Sequence, residues 1–204
     1  MKKIIIIPLV FCCITAFTQQ NNKPVNKFFS IGISKGYNTF LGNNFLAKTY
    51  NSGSPICLDL HFLVYKNLGI GCYYRHSKSS LKSTDYVGLS TAGNFGSTSL
   101  YMCYYLKLSN KIVLMPKIGI AAWGLQNELK GDYGVSYDYT TNGSYYSASS
   151  DINYFIGKHF SVFANAEYDF LDLRNVNANT SVGTSYNSSN QVNIQFGIRI
   201  WDRK

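Results

Sequence analysis

The stretch that decides the fold is QVNIQFGIRIW, residues 191–201. Its apolar side chains stand at every second position, with polar or small residues between them: Val192, Ile194, Phe196, Ile198 and Ile200. Successive side chains of an extended chain point to opposite faces, so a period of two predicts a β-strand with one apolar and one polar face.

The same alternation recurs through most of the chain. It is clear at 56–64, 68–75 and 160–170, and weaker at 28–37, 98–108, 112–124 and 147–156. Together with residues 191–201, these segments make eight predicted strands of about ten residues, the length that a tilted strand needs to cross a hydrocarbon layer.

The connections between the predicted strands alternate in length. Turns are predicted at 65–67, 109–111 and 157–159, whereas the other four connections are long and rich in Ser, Thr, Asn, Gly and Tyr: 38–54, 77–97, 125–146 and 171–190. This asymmetry is typical of bacterial outer-membrane barrels. The sequence therefore predicts an all-β fold, an eight-stranded antiparallel up-and-down transmembrane β-barrel with short periplasmic turns and four long extracellular loops.

Composition excludes several other classes and leaves one alternative. Of the 204 residues, 16% are aromatic and only 14% are charged, which is unlike a disordered chain. Alternation does not say which face is outside, so a soluble, periplasmic, lipocalin-like barrel that binds a small lipophilic ligand stays an alternative. A nearly continuous apolar face, few charges on the polar face and aromatic residues near strand ends favour the membrane barrel.

The N-terminus has the pattern of a secretory signal peptide. Lys2 and Lys3 precede an apolar stretch at 4–17, and small residues, Ala16 and Thr18, stand before a predicted cleavage at Gln19. A retained membrane anchor is the alternative. We predict a signal peptide at 1–18, a periplasmic linker at 19–27, a barrel domain at 28–204 and a location in the cell outer membrane. Although the chain is basic, with 19 Lys and Arg against 10 Asp and Glu, export argues against a nucleic-acid partner.

Three segments carry a resemblance to a known family: MPKIGIAAWG (115–124), GKHFSVFANAEYDF (157–170) and QVNIQFGIRIW (191–201). They resemble the outer-membrane β-barrel domain family of Gram-negative bacteria, whose small members include OmpA transmembrane domains and OmpX-like barrels. The resemblance implies contact with outer-membrane lipids and insertion by the barrel assembly machinery. Members often end on an aromatic residue that aids assembly, and here either Trp201 or Phe196 fills that role.

The polar face predicts a plugged interior. An eight-stranded barrel is only just wide enough for its side chains, and buried charges must be paired. The predicted lumen network is structural and comprises Asp59, His61, Arg75, Lys107, Lys117, Asp151, Glu167, Asp169 and Arg199. Turn lengths place Asp59 diagonal to Arg75, and Glu167 and Arg199 could pair between the last two strands. A narrow ion path is the alternative, but no pore is expected.

Cysteines and loops complete the prediction. Cys57 and Cys103 are expected to point inward and Cys72 outward, all as free thiols. The third loop is rich in tyrosine, which offers rigid contact area for a host or cell-surface protein or glycan, and its candidate binding residues are Tyr133, Tyr137, Tyr139, Tyr145 and Tyr146. An extension of two strands beyond the membrane explains this segment equally well.

The sequence predicts neither a catalytic site nor a metal site. His76 beside Ser77, and near Asp85, raises the alternative of a lipid-modifying outer-membrane enzyme. A nucleophile needs a base within hydrogen-bond reach, and nothing in this spacing indicates one. The sequence predicts a structural or adhesive barrel that displays its loops, with no catalytic residues, no metal ligands and no cofactor.

Overall fold

The computed structural model describes residues 28–83, 90–130, 136–172 and 188–202. The predicted signal peptide and linker lie outside these ranges. One helix, α1 (Phe45–Thr49), follows the first of nine strands: β1 (Phe29–Leu41), β2 (Ser54–Tyr65), β3 (Leu68–Ser80), β4 (Ser90–Tyr104), β5 (Leu106–Lys107), β6 (Ile112–Lys130), β7 (Ser136–Phe155), β8 (Phe160–Asp172) and β9 (Ser188–Asp202). In the described part of the chain no helix has the length and hydropathy needed to cross a membrane.

The strands form one closed antiparallel barrel. Neighbours in sequence are neighbours in the sheet, and β1 closes the circle by pairing with β9 from Phe29↔Asp202 to Leu41↔Asn190. β4 and β5 both pair with β6 and are separated only by Tyr105. We therefore count them as one interrupted strand, which makes the barrel eight-stranded. Closure gives every strand of the described barrel wall a partner on both sides, and only the ends of the longer strands extend past their neighbours. The predicted up-and-down eight-stranded barrel is confirmed.

The interruption at Tyr105 changes which face its neighbours occupy. Tyr105 and Leu106 are both buried, although they are consecutive residues. One extra inward residue shifts the period of two, so Lys107 is exposed on the outer face. The prediction that Lys107 belongs to the interior is therefore wrong, since strict alternation cannot anticipate a local bulge.

The hairpin of β6 and β7 is longer than the sequence pattern predicted. Residues 125–146 were expected to be a loop, but the pairing continues from Ala121↔Tyr145 to Lys130↔Ser136. Within this extension Leu125 is fully buried. The structure therefore supports the alternative interpretation of the tyrosine-rich segment, an extension of two strands.

The barrel carries apolar side chains outside and polar side chains inside. Ile33, Ile118 and Phe196 are 51%, 66% and 65% exposed, whereas Asp151 and Arg199 are 0% exposed. A soluble barrel needs the opposite arrangement, since its apolar face lines the cup and its polar face meets water. The alternative of a lipocalin-like cup is therefore wrong.

Two apolar clusters close the ends of this polar interior. The turn-end cluster lies beside the short turns and is made of Phe28, Cys57, Leu63, Tyr73, Tyr101, Cys103, Tyr105, Val113, Met115, Phe155 and Trp201. The loop-end cluster lies beside the long connections and is made of Phe40, Leu46, Tyr50, Phe95, Ala121, Trp123, Leu125, Tyr145 and Leu171. Charged side chains are thus enclosed between two packed layers.

The helix α1 supplies part of the loop-end cluster. The side chain of Asn44 caps its N-terminus by accepting a hydrogen bond from the backbone of Ala47 at 3.0 Å. The helix directs Leu46 and Tyr50 inward, where each is only 1% exposed. The first long connection therefore folds over the barrel mouth instead of standing away from it.

Candidate functional site

The charged interior is built from two clusters on the inward faces of the strands. The Arg199 cluster contains Asp59, His61, Tyr101, Lys117, Asp151, Asn153 and Arg199. The Arg75 cluster contains Tyr73, Arg75, Tyr145, Glu167, Asp169 and Asn193. Both consist of residues at alternate strand positions, which places them on one face.

Arg199 is the centre of the first cluster and is fully buried. Its Nη2 donates to Asp59 Oδ2 at 2.5 Å and to Asp151 Oδ2 at 2.7 Å, and its Nη1 donates to Asn153 Oδ1 at 2.7 Å. Lys117 Nζ lies 2.7 Å from Asp151 Oδ2 and 3.9 Å from Asp59 Oδ2. Two cations therefore share two carboxylates, a geometry that suits the planar guanidinium fork.

His61 extends this cluster towards β4. Its Nε2 lies 2.8 Å from Asp59 Oδ2, and its Nδ1 lies 2.8 Å from the hydroxyl of Tyr101. The same hydroxyl donates to the carbonyl of Leu60 at 3.1 Å. The imidazole is thus held on both nitrogens and is a structural member of the network.

Arg75 organises the second cluster. Its guanidinium donates to Glu167 Oε1 at 2.9 Å, to Asp169 Oδ2 at 2.7 Å and to the hydroxyl of Tyr145 at 2.9 Å. The Tyr73 hydroxyl donates to Glu167 Oε1 at 2.6 Å. Hydrogen bonds to charged groups are the strong ones, so this set holds β3 against β7 and β8 across the lumen.

The structure pairs these charges differently from the diagonal contacts expected from sequence. Strand register pairs Arg199 with Ser161 and Glu167 with Asn193, six residues apart along β8. Since a strand rises about 3.3 Å per residue, Glu167 and Arg199 are too distant to pair. Asp59 likewise bonds to Arg199 and not to Arg75. Asp59 and Arg199 both pair with Gly32 of β1, and they meet along the wall over this residue, which has no side chain. Arg75 instead finds its partners on β8, across the lumen, and no hairpin pattern reveals such contacts.

The described interior is close to charge balance. It holds three cations against four carboxylates: Arg75, Lys117 and Arg199 against Asp59, Asp151, Glu167 and Asp169. Every one of these seven makes at least one ion pair of 2.9 Å or less. Removing one partner of a buried pair is costly, because the remaining charge is left uncompensated.

The described cavity in the barrel interior leaves little room for water. A cavity of about 20 Å³ lies beside Arg75 and Tyr145, under Trp123. That volume suits about one water molecule.

One group of potential metal ligands lies within the Arg199 cluster. Ligand atoms of Asp59, His61 and Asp151 all lie within 4.8 Å of one another and are buried. Both carboxylates already bind Arg199, however, and Asp151 also binds Lys117. The positive charge that a metal ion would bring is supplied here by the protein's own side chains.

The residues considered for catalysis lie apart. Ser77 is buried and donates to Asn38 Oδ1 at 3.3 Å, whereas its neighbour His76 is exposed on the outer face. Consecutive strand residues point in opposite directions, so these two cannot form a nucleophile and base pair. Asp85 lies outside the described residues. His159, in a short turn, hydrogen-bonds the backbone carbonyl of Trp201 at 2.9 Å.

The five tyrosines singled out in the sequence do not form one surface. Tyr145 is 2% exposed and belongs to the Arg75 cluster, so its assignment to a surface-binding loop is wrong. Tyr146 is 67% exposed on the outer wall. Tyr133 lies outside the described residues, and so do the side chains of Tyr137 and Tyr139, whose backbones continue β7.

The three cysteines lie where the alternation predicted. Cys57 and Cys103 are buried inside, Cys72 is partly exposed on the outer wall, and all three are free thiols. The tyrosines of the network, Tyr73 and Tyr101, were missed. Each lies an even number of residues from another inward-facing residue of the same strand, so the same alternation predicts that both face inward.

Comparison with solved structures identifies the architecture. The structure matches Neisserial surface protein A (NspA) with a TM-score of 0.58 at 10% identity, over 88% of this chain and 99% of that one. A major outer membrane protein from Thermus thermophilus matches with a TM-score of 0.59 at 12% identity, over 87% and 100% of the two chains. The fold is that of the small outer-membrane barrels.

A third match is Ail, the attachment invasion locus protein of Yersinia pestis, with a TM-score of 0.50 at 12% identity over 88% of this chain and 100% of that one. Ail has also been solved in complex with the heparin analogue sucrose octasulfate. No protein-family profile and no curated protein sequence matches this chain. At such low identities the likeness establishes the fold alone.

Proposed function

We propose that this protein is a closed outer-membrane barrel that anchors and displays surface loops. The observation that carries the proposal is the inverted distribution of side chains, with a belt of exposed apolar residues around an ion-paired interior. Only an apolar solvent makes such a belt favourable around the whole circumference. The signal-peptide pattern at 1–18 supports export to that location, and insertion by the barrel assembly machinery follows from it.

The interior supports a scaffold rather than a pore. Aromatic side chains close the turn end, where the ring centroids of Phe28 and Trp201 lie 5.0 Å apart. At the loop end Tyr50 packs edge-on against Phe95 at 5.1 Å, and its hydroxyl exchanges hydrogen bonds with Asn127. Ion flow would require both layers and the ion pairs between them to open.

Display of the β6–β7 hairpin supports an adhesive role. The pairing of β7 with β8 ends at Ser144↔Asp172, whereas β7 begins at Ser136, so the hairpin projects beyond β8 by eight residues. On its other side β4 accompanies β6 as far as Leu129. Binding residues on loops held by rigid scaffolds are common. The segment 131–139 contains three tyrosines in sequence, and the fold relative Ail has been solved with a heparin analogue. The proposed partner is therefore a host or cell-surface protein or glycan.

Two measurements test the scaffold proposal. In an outer-membrane fraction, unboiled protein should migrate differently from boiled protein on an SDS gel, because a closed barrel resists the detergent. In planar bilayers the same folded protein should show no stepwise conductance. A single mobility with recovery in the soluble periplasmic fraction would overturn the membrane location, and regular single-channel steps would overturn the closed interior.

Adhesion has its own test. The register pairs Glu128 with Asp138, so residues 129–137 can be replaced by an Asn-Gly turn that keeps the lower hairpin intact. Cells carrying this variant should lose binding to immobilised heparin or matrix protein while keeping the heat-modifiable barrel. A triple Tyr to Ser change at Tyr133, Tyr137 and Tyr139 separates side chains from loop length. Unchanged binding by both variants would refute the adhesive role.

A further inference from the structure

The outer wall of the barrel contains an open apolar groove. It has a volume of about 850 Å³ and crosses β3, β4, β6 and β7, with Ile70, Cys72, Leu100, Met102, Ile118 and Tyr146 among its lining residues. Small-molecule sites usually measure about 300–1,000 Å³, so this groove has the capacity of a binding site.

Inward glycines account for the groove. Gly71 and Gly119 flank Tyr101 on adjacent strands. A Cβ at Gly71 would lie 2.4 Å from the Tyr101 ring, and one at Gly119 would lie 2.9 Å from the Tyr101 Cβ. With no side chains of their own, both backbones pack directly on Tyr101, and all three residues line the groove. The groove is therefore a built feature of the barrel wall.

Basic side chains stand above the groove at the loop end. Beyond Cys72, the outward positions of β3 are Tyr74, His76 and Lys78, and all three are exposed, with Tyr74 between the groove and the two basic side chains. Every acidic side chain that the structure describes lies in the interior, except Asp202 at the turn end. On β3 the described outer wall is therefore basic where it meets the long connections.

Small residues connect the groove to these basic side chains. Tyr74 pairs with Thr98, and Thr98 pairs with Ala122. His76 pairs with Gly96, whose outward direction is open. No bulky side chain on β4 therefore blocks the path from the groove to the loop-end rim.

The spacing along β3 fits one leaflet of a bilayer. Lys66 and Lys78 each stand six residues from Cys72. At about 3.3 Å per residue and a tilt of about 40°, six residues cover roughly 15 Å along the membrane normal, half of a hydrocarbon core of about 30 Å. Cys72 thus lies near the middle of this span. The groove lies on both sides of it, since Ile70 and Met102 line it on the turn side. The outward positions of β3 and β4 beyond Cys72 lead from the groove through the leaflet that faces the loops.

We propose that this groove binds an anionic phospholipid-like molecule of the outer leaflet, with its acyl chains along the groove and its phosphate at Lys78 and His76. The proposal rests on the membrane location proposed above. The groove holds the chains by apolar contact, Lys78 selects the phosphate by its charge, and the His76 ring offers a hydrogen bond beside it. A lipid bound in this way is distinguished from bulk lipid by one-to-one stoichiometry and headgroup preference.

Native mass spectrometry of the folded protein in detergent tests the assignment, with dioleoyl phosphatidic acid as the probe and dioleoyl phosphatidylcholine as the comparison. One phosphatidic acid should be retained at concentrations where phosphatidylcholine is not. The Lys78→Gln variant should weaken phosphatidic acid binding about fivefold. Adding His76→Gln should weaken it further. The matched control Lys35→Gln changes an outward lysine in the middle of β1, away from the groove, and should have no effect.

Variants that fill the groove test the apolar half of the site. Cys72→Trp and Ile120→Trp place an indole in the groove from outward positions and should abolish retention of the lipid. The control Ile198→Trp adds the same indole on β9, away from the groove. Two filling variants are used so that a failure of one to fold, seen as a lost mobility shift, leaves the other informative.

The outcomes for the groove and for the membrane barrel are separable. Equal retention of both lipids, or retention unchanged by the indole variants, would overturn the lipid site while the heat-modifiable barrel stands. Failure of the unsubstituted protein to show heat modifiability would overturn the membrane location. The preference for phosphatidic acid, lost in Lys78→Gln and kept in Lys35→Gln, supports the site.

Discussion

Replacing Arg199 by Met should destabilise the barrel more than any single change on its outer wall. The guanidinium is fully buried and donates to Asp59, Asp151 and Asn153 at 2.5 to 2.7 Å. Methionine has similar length and no charge, so the change leaves the two carboxylates with Lys117 and the His61 ring as their remaining partners. Removing one partner of a buried ion pair costs about 3–5 kcal/mol, which is a hundredfold or more in the folding equilibrium.

The assay is urea unfolding of the protein in phospholipid vesicles. The fraction of folded barrel is read as the fast-migrating band of unboiled samples, and the free energy of unfolding is extrapolated linearly to zero urea. Lys158→Met, at an exposed turn, removes the same charge outside the network and should stay within about 0.5 kcal/mol of the unsubstituted protein.

A compensating variant makes the reasoning refutable. Arg199→Met combined with Asp59→Asn leaves Lys117 with a single carboxylate, Asp151, so the double variant should be more stable than Arg199→Met alone by about 0.5–3 kcal/mol. If Arg199→Met costs less than about 1 kcal/mol, or if the double variant is no better than the single one, the interior is not held together by paired charges.

Three further predictions concern other parts of the barrel. Gly71→Val should prevent folding, seen as loss of the fast band, because its Cβ would meet the Leu60 carbonyl and the Tyr101 ring at 2.4 Å; Gly96→Ala, in open space, should fold normally. A membrane-permeant maleimide should label Cys72 in the folded barrel and the two buried thiols only after boiling; equal labelling of all three would contradict the packing. Asn127→Leu should cost about 1 kcal/mol by removing its hydrogen bonds to the Tyr50 hydroxyl, and should speed proteolysis around α1; an unchanged cleavage rate would show that this contact does not hold the helix down.

Most of the fold was predictable because strand alternation is a local property. The pattern at 191–201 matches β9, and the same pattern located the other strands of the barrel and the three short turns. The errors occur where a tertiary contact overrides local alternation. Tyr105 and Leu106 both pack inside and so turn Lys107 outward, and inward packing of Leu125 extends a hairpin where polar residues indicated a loop.

The sequence predicted most of the residues that line the charged interior, but it did not predict which of them pair with each other. Parity along each strand identified most of the inward charges, since it depends only on counting residues. Which charges meet depends on the shape of the closed barrel. The partners Arg75 and Asp169 lie 94 residues apart in the sequence, on strands that do not pair with each other, and no local pattern brings them together.

By itself the sequence determined an eight-stranded barrel with an apolar and a polar face, because alternation is written into each strand. The tertiary structure decided which face is outside, which charges are paired and how both ends are closed. It also produced the groove over Tyr101, which needs Gly71 and Gly119 on separate strands to be brought against one ring. These features depend on contacts across the lumen and between strands, and such contacts exist only once the sheet has closed on itself.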